Sequence, residues 1–262
     1  MKRLIALLTA FCLVAGPALA GITPLTGTTN ALLSTGTEAS SVNVTLTSAA
    51  TTVDAPIGTF FVIAVTQRTA STITSCGDSV NGSVYSLAGS AVVNGAAVEW
   101  LYYYQTTVDV PIGTTFSCTF PSASNGKSMI IAGFTAMATS SQADGTPTTG
   151  TGTWTSGSPF TIGPTGTLAC NTSAGEIVIA GTALASNVTW TEDAAFSHVS
   201  SQTANAFEQL AYKIVNANTA VSYSPTATAT AAAYAGELQG FKAATCAAAA
   251  INHGLLLTGV GQ

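Results

Sequence analysis

Polar and apolar positions along this chain alternate far more often than they recur at helical spacing. Val42, Val44 and Leu46 fall on one face of SVNVTLTS, the period-two signature of a strand with one buried face. Residues 60–65, FFVIAV, form instead a continuous apolar run, as expected of a strand buried on both faces. Further strand-like runs lie at 71–76, 83–87, 97–105, 114–120, 127–137, 160–170, 176–184 and 232–241, with turn residues between nearly all of them. In 207–215, Phe207, Leu210, Ala211, Ile214 and Val215 also fit a helical face, and EQLAYKIV has good helix propensity. Leu210, Tyr212 and Ile214 nevertheless alternate within a β context, so this segment too is predicted as a strand. Many short strands at this spacing predict an all-β fold, a single antiparallel β-sandwich over 41–244, rather than an α/β architecture.

The flanks have a different texture. Lys2 and Arg3 precede the apolar run 4–14, which leads to Gly16-Pro17 and the small-residue site Ala18-Leu19-Ala20. That is the layout of a secretory signal peptide over 1–20, cleaved before Gly21, and its apolar run is too short to span a bilayer. Cys12 lies inside the run rather than at the first mature position, so the expected product carries no lipid anchor. Residues 21–40, GITPLTGTTNALLSTGTEAS, keep no sustained period and are read as an extended arm or linker. The tail, 245–262, carries Leu255, Leu256 and Leu257, and is expected to dock on its own domain or on a neighbouring subunit. It is not a membrane span.

Charge narrows the function. Only 6% of residues are charged, against roughly 25% in an ordinary soluble domain, so Ser, Thr, Asn and Gly must cover the surface. Without the leader, Arg68, Lys127, Lys213 and Lys242 stand against 11 acids, a formal charge of −7. No basic stripe exists to displace counterions from phosphates, which argues against nucleic-acid binding. Cys76, Cys118, Cys170 and Cys246 remain after the leader, an even count that reads as two disulfides in an exported chain. The strand-like contexts TITSC and TFSCTF pair Cys76 with Cys118 and leave Cys170 for Cys246. Close Cys or His spacings that would ligate a metal are missing, and no cofactor is expected.

One internal echo stands out. TTVDAPIGTFF at 51–61 recurs as TTVDVPIGTTF at 106–116, an offset of 55 residues. Asp54 and Asp109 can bond to backbone amides two positions on, Pro56 and Pro111 pre-set φ, and Gly58 and Gly113 allow positive φ. Turn chemistry accounts for every residue, so each copy is read as a turn delivering the chain into a strand rather than as half of a paired-acid or calcium site.

With the strands placed, several phrases resemble the secreted and phage-encoded β-sandwich proteins of bacterial and bacteriophage genomes. They are TVDAPIGTFFVIAV, TSCGDSVNGSVYSLAG, VEWLYYYQTTVDVPIGTTFSCTF, MIIAGFTAMATSSQADGTP, AGEIVIAG and AAYAGELQGFKAA. The second is similar to that family's Asp-x-x-Gly-Asn-x-Tyr turn, with Asn81-Gly82 in inverted order. The resemblance implies a lectin-like or jelly-roll sandwich over most of the chain and no catalytic residues.

Catalytic candidates are sparse. His198 and His253 lie in no nucleophile-elbow context, and Glu192-Asp193 with Glu208 are the nearest approach to a glycosidase carboxylate pair. No zinc, P-loop or dinucleotide motif is present. The aromatic strand VEWLYYYQ is the best binding candidate: Val98, Trp100, Tyr102 and Tyr104 share one face, and Glu99, Leu101 and Tyr103 the other. Either the Trp100 ladder looks outward as a stacking platform for sugar rings, or it fills the core and leaves Glu99 and Tyr103 exposed, the arrangement that bulk favours. Trp154 and Trp190, in loop-like settings, either join a ligand site or lid the core. The expectation is a non-enzymatic exported surface or assembly protein, phage virion-associated or extracellular and structural. Its partners would be copies of itself or neighbouring virion or surface proteins. The alternative is a secreted bacterial adhesin binding neutral glycans.

Overall fold

The computed structural model describes residues 21–39, 43–69, 72–123, 126–170, 175–186, 188–215, 219–228, 232–244 and 246. The leader over 1–20 and the tail beyond Cys246 lie outside the described residues. Among the described residues the regular elements are all strands. In chain order they begin β1 (Thr23–Pro24), β2 (Leu32–Glu38), β3 (Thr45–Thr47), β4 (Phe60–Gln67), β5 (Ser75–Asp78) and β6 (Ser86–Leu87). Next come β7 (Val92–Asn94), β8 (Ala97–Gln105), β9 (Phe116–Thr119), β10 (Lys127–Thr135), β11 (Ala143–Trp154) and β12 (Glu176–Leu184). The last are β13 (Thr189–Thr191), β14 (Ser197–Gln202), β15 (Phe207–Val215), β16 (Thr226–Thr228) and β17 (Ala232–Lys242).

They form four antiparallel sheets. The first large sheet runs β1-β10-β4-β8-β6, with β2 also on β10 and β7 also on β8; the second runs β11-β17-β12-β15-β14. Two small sheets, β3-β9-β5 and β13-β16, complete the set. The large sheets face each other across Phe60, Val62, Leu101, Ile130 and Phe134 from one side and Ile177, Ile179, Leu210, Tyr212 and Phe241 from the other. On the far side of the first, Phe61, Ile63, Val65, Trp100, Met129 and Ile131 pack under Leu46, Cys76, Phe116, Cys118 and Phe120 of the β3-β9-β5 sheet. On the far side of the second, Val178, Ala180, Ala211 and Leu238 are covered by Trp154, Phe160, Ile162, Leu168, Tyr223 and Ala227.

The all-β expectation holds, but the two-sheet sandwich is replaced by this four-layered stack. The reason is in the central strands. All eight residues of β4 and all nine of β12 are buried, so their continuous apolar runs need cover on both faces. A two-layer sandwich supplies cover on one face only.

Residues 21–39 are built into the first large sheet rather than extended as an arm or linker. Ile22, Leu25, Ala31 and Leu33 are buried, and β2 pairs with β10 from Lys127↔Glu38 to Ala132↔Leu32. Gly36 is required by close packing: a Cβ there would stand 2.7 Å from the carbonyl oxygen of Thr47, where β3 passes over β2. β11 was equally hidden behind its Thr and Gly content. It is an edge strand with a register break between Asp144 and Thr148, and Pro147 occupies that break, as edge prolines do.

The two copies of the repeat pair with each other. Ala55 and Val110 exchange both main-chain hydrogen bonds at 2.8 Å. The Ile112 amide donates to Asp54 Oδ1 at 2.8 Å, and the Ile57 amide donates to Asp109 Oδ1 at 3.0 Å. The aspartates therefore do not serve amides two positions on. Those positions are Pro56 and Pro111, which have no N–H, and each carboxylate reaches into the other copy instead. Gly58 and Gly113 take φ of 87° and 91°, and Thr59 and Thr114 each donate from Oγ1 to the carbonyl of the proline three residues back, at 2.7 Å. The reciprocal exchange relates the copies by a local two-fold axis. Asp54→Ala and Asp109→Ala should each lower unfolding free energy in urea by about 1 kcal/mol, the net worth of one such hydrogen bond, whereas the Asn variants, which keep an acceptor, should lose less.

Candidate functional site

The aromatic residues of β8 divide between two interiors. Trp100 and Tyr102 are 2% and 6% exposed, Trp100 standing edge-on to Phe120 at 6.5 Å. Burial pushes the Tyr102 phenol up to about 12. Trp154, 1% exposed, belongs to the separate interior beyond the second large sheet and donates from Nε1 to the Ser158 carbonyl at 2.8 Å. Trp190 is half-buried and packs against Phe160 at 6.2 Å. Tyr104 is half-buried against Tyr85 at 5.1 Å. Trp100, Tyr102 and Trp154 thus offer no ring face to a ligand, and the five residues share no platform. Glu99 is fully buried rather than exposed. In a four-layered stack neither face of β8 meets solvent along most of its length.

The exception is the end of β8, where the strand leaves its cover. Successive side chains there point to opposite faces, so Tyr103 packs on Phe60 and Phe241 at 5.8 and 5.0 Å while Tyr104 packs on Tyr85. Between them opens a cleft of about 440 Å³, lined by Ile57, Gly58, Ser86, Tyr103, Tyr104, Gln105, Thr106, Thr107, Thr139 and Gln142. Gln105 is its fixed wall: Nε2 donates to the Gly58 carbonyl at 3.0 Å, and Oε1 accepts from Gln142 Nε2 at 2.9 Å. The lining holds two phenol rings, two amides and several hydroxyls, and no charged side chain. Such walls suit a neutral, polyhydroxylated ligand better than an ion. Tyr103 is read from the sequence as an exposed residue on the face opposite the ladder rather than as a binding one and is half-buried, and nothing local marks Gln142 as its neighbour.

The remaining chemical candidates are committed to structure. Asp78 accepts from the amides of Val80 and Asn81 at 2.8 and 2.7 Å, from Asn81 Nδ2 at 3.0 Å and from the Tyr85 hydroxyl at 2.9 Å. The Asp-Ser-Val-Asn-Gly-Ser-Val-Tyr phrase is therefore a self-satisfied turn. Gly77 is required beside it, since a Cβ there would collide with the Gly82 carbonyl. Glu192 accepts from Gln209 Nε2 at 2.9 Å on the outer side of the second large sheet, whereas Glu208, the neighbouring residue on β15, points into the interior to receive Ser128 Oγ at 3.1 Å. A sheet separates them, so they do not flank a common cleft. His198 contacts Ser201 Oγ at 2.7 Å, and His253 lies outside the described residues. Cys76 pairs with Cys118 across β5 and β9, Cα to Cα 4.2 Å, and Cys170 with Cys246 at 5.5 Å. Among the described residues, Cys170, Glu176 and Cys246 form the one group with metal-ligand spacing. Its sulfurs are already joined to each other.

Sequence reasoning also missed a buried carboxyl cluster. Glu99 on β8, Glu208 on β15 and Glu237 on β17 are all fully buried between the large sheets. Both oxygens of Glu99, both of Glu237 and one of Glu208 have no hydrogen-bond partner. Gly181 on β12 leaves the space that the Glu99 carboxyl fills. Desolvation, reinforced for Glu99 by the other two carboxyls, holds Glu99 and Glu208 well above the ordinary range and raises Glu237 to about 8. All three are neutral at mildly acidic pH, the state that a buried, unpaired carboxyl favours.

A carboxyl whose folded-state pKa is raised binds protons more tightly in the folded chain. Its contribution is fully present below its unfolded value of 4.5 and is lost as pH rises through the folded value. Unfolding free energy should thus fall between pH 4.5 and 8 by about 1.4 kcal/mol per pH unit for each such group. His198, lowered by burial, opposes this, while Glu176, raised to about 8, and Glu192, raised to about 6, both chiefly by burial, act in the same direction as the cluster. Chemical denaturation at pH 5 and pH 8 should show greater stability at pH 5, and Glu237→Gln should flatten the slope. Compared with known proteins, the chain matches no family model, no curated protein and no solved structure.

Proposed function

We propose that this chain is a non-enzymatic, exported structural protein of a surface or assembled particle, of the phage virion-associated or extracellular kind, in keeping with the lectin-like or jelly-roll resemblance of its phrases. Two cysteine pairs at bonding distance suit an oxidising compartment. No helix among the described residues is long and apolar enough to cross a membrane. The observation that carries the reading is the outer edge of the double turn. Ile57 and Ile112 are 63% and 59% exposed, with Val108 beside them at 43%. Turn chemistry needs the Asp, Pro, Gly and Thr of each copy but not a bulky apolar side chain between Pro and Gly. An exposed apolar residue repeated on a local two-fold is a self-complementary contact suited to a second copy of the chain.

Light scattering on the purified chain tests this. Self-association at micromolar concentration is expected, and Ile57→Ser with Ile112→Ser should abolish it without altering the circular dichroism spectrum. A wild-type chain that stays monomeric throughout would overturn the reading.

A second reading, binding of a neutral glycan, is favoured by the uncharged Tyr103–Tyr104 cleft. Stacking on one ring and hydrogen bonds to fixed amides give weak single-site affinity, multiplied when copies act together. On a glycan array, Tyr104→Ala should lose at least ten-fold in signal, about the 1.4 kcal/mol of one aromatic stack, while Trp100→Phe, changed in the core, should bind like wild type. Absence of binding to any neutral glycan would remove this reading.

A further inference from the structure

Lys127 opens β10 and is fully buried, an uncommon place for a lysine. Directly across the ladder stands Glu38, the last residue of β2, and residues so opposed share one face of the sheet. The lysine side chain passes beneath Phe120, with Nζ 5.4 Å from the ring centroid. It ends at the segment leading into β3, where Nζ donates to the main-chain carbonyl of Asn43 at 2.8 Å. The side-chain amide of the same asparagine donates from Nδ2 to Glu38 Oε2 at 2.8 Å. An amine from β10 and a carboxylate from β2 therefore both meet Asn43 in the segment leading into β3, the amine at its main-chain carbonyl and the carboxylate at the side-chain nitrogen that would have to leave.

The geometry points to an autocatalytic isopeptide bond between Lys127 Nζ and Asn43 Cγ, with Glu38 as the proton carrier. Glu38 takes a proton from the ammonium, and the freed lone pair attacks the amide carbon. The tetrahedral centre collapses by breaking Cγ–Nδ2, Glu38 returns its proton to the departing nitrogen, and the second amine proton follows it. One lysine ammonium and one primary amide become one secondary amide and one ammonium ion, so atoms and charge balance and no oxidant is required. Burial favours the neutral amine by lowering the lysine pKa, with the Glu38 carboxylate opposing that shift. Proximity assists: Nζ already contacts the main chain of the residue whose side-chain amide it would attack, and that amide already touches Glu38. The bond would tie the first large sheet to the strand of the layer above it, a covalent seam suited to a chain that bears load or resists proteolysis. This goes beyond the structural role proposed above and does not depend on self-association or glycan binding.

The full chain, with disulfides reduced, is examined by intact-mass spectrometry and by protease mapping. The expected result is a deficit of one ammonia against the sequence mass and a single branched peptide containing both Asn43 and Lys127. Lys127→Arg and Asn43→Ala should restore the full mass and give linear peptides. Glu38→Gln, which keeps an acceptor for the Asn43 amide, should do the same with an unchanged circular dichroism spectrum, separating lost proton transfer from lost fold. A wild-type chain without the branched peptide overturns the bond. A Glu38→Gln chain cross-linked as completely as wild type overturns the role of Glu38.

Discussion

Burial of both faces of the central strands governs this molecule. A strand such as β4 or β12, largely apolar and buried at every position, cannot rest against solvent on either side, so each large sheet must be covered twice. The shared face between the large sheets supplies one cover for both. The small β3-β9-β5 sheet and the segments around Trp154, Phe160 and Tyr223 supply the others. Many of the few acids are drawn inward or spent on turns: Glu99, Glu208 and Glu237 are fully buried, and Asp54, Asp78 and Asp109 accept from turn amides.

The same constraint decides where chemistry can occur. The Glu99, Glu208 and Glu237 carboxyls sit where water does not reach, and their neutrality is the condition for closing the two sheets. Lys127 is buried in the adjacent interior, but with Glu38 and Asn43 at hand. One polar set is tolerated by giving up its charge and the other by finding partners. At the end of β8, past Tyr102, the stack opens enough to leave a cleft.

Strand positions were legible because period-two alternation and continuous apolar runs are local properties: β8, β10, β12 and β15 fall within runs read from the sequence, β4 and β17 run only one or two residues past theirs, and the pairing of Cys76 with Cys118 followed from strand contexts and left Cys170 for Cys246. What was not legible is whatever depends on layers. Alternation along VEWLYYYQ separates two faces but does not say that both are covered, so Trp100 and Glu99 alike were candidates for exposure and neither is exposed. Gly36 and the Thr-Gly text of β11 look like flexible chain because a close crossing and an edge strand use the same residues as a loop. Asp54 and Asp109 were recognisable as turn residues. Their true acceptor role was masked because the donors lie in the other copy, although Pro56 and Pro111 already ruled out the local amide.

The reciprocal aspartate exchange also constrains how this sequence can drift. Each copy of the repeat provides the acceptor that the other requires and the amide that the other satisfies, so neither copy is a self-sufficient turn. Replacing one aspartate leaves an orphan amide in the partner segment 55 residues away, whereas remodelling both together can restore the match. Descendants of this chain should therefore carry the two segments as a linked character: near-identical in pairs within one sequence, yet free to differ between sequences, so that divergence is recorded in the pair and not in either copy.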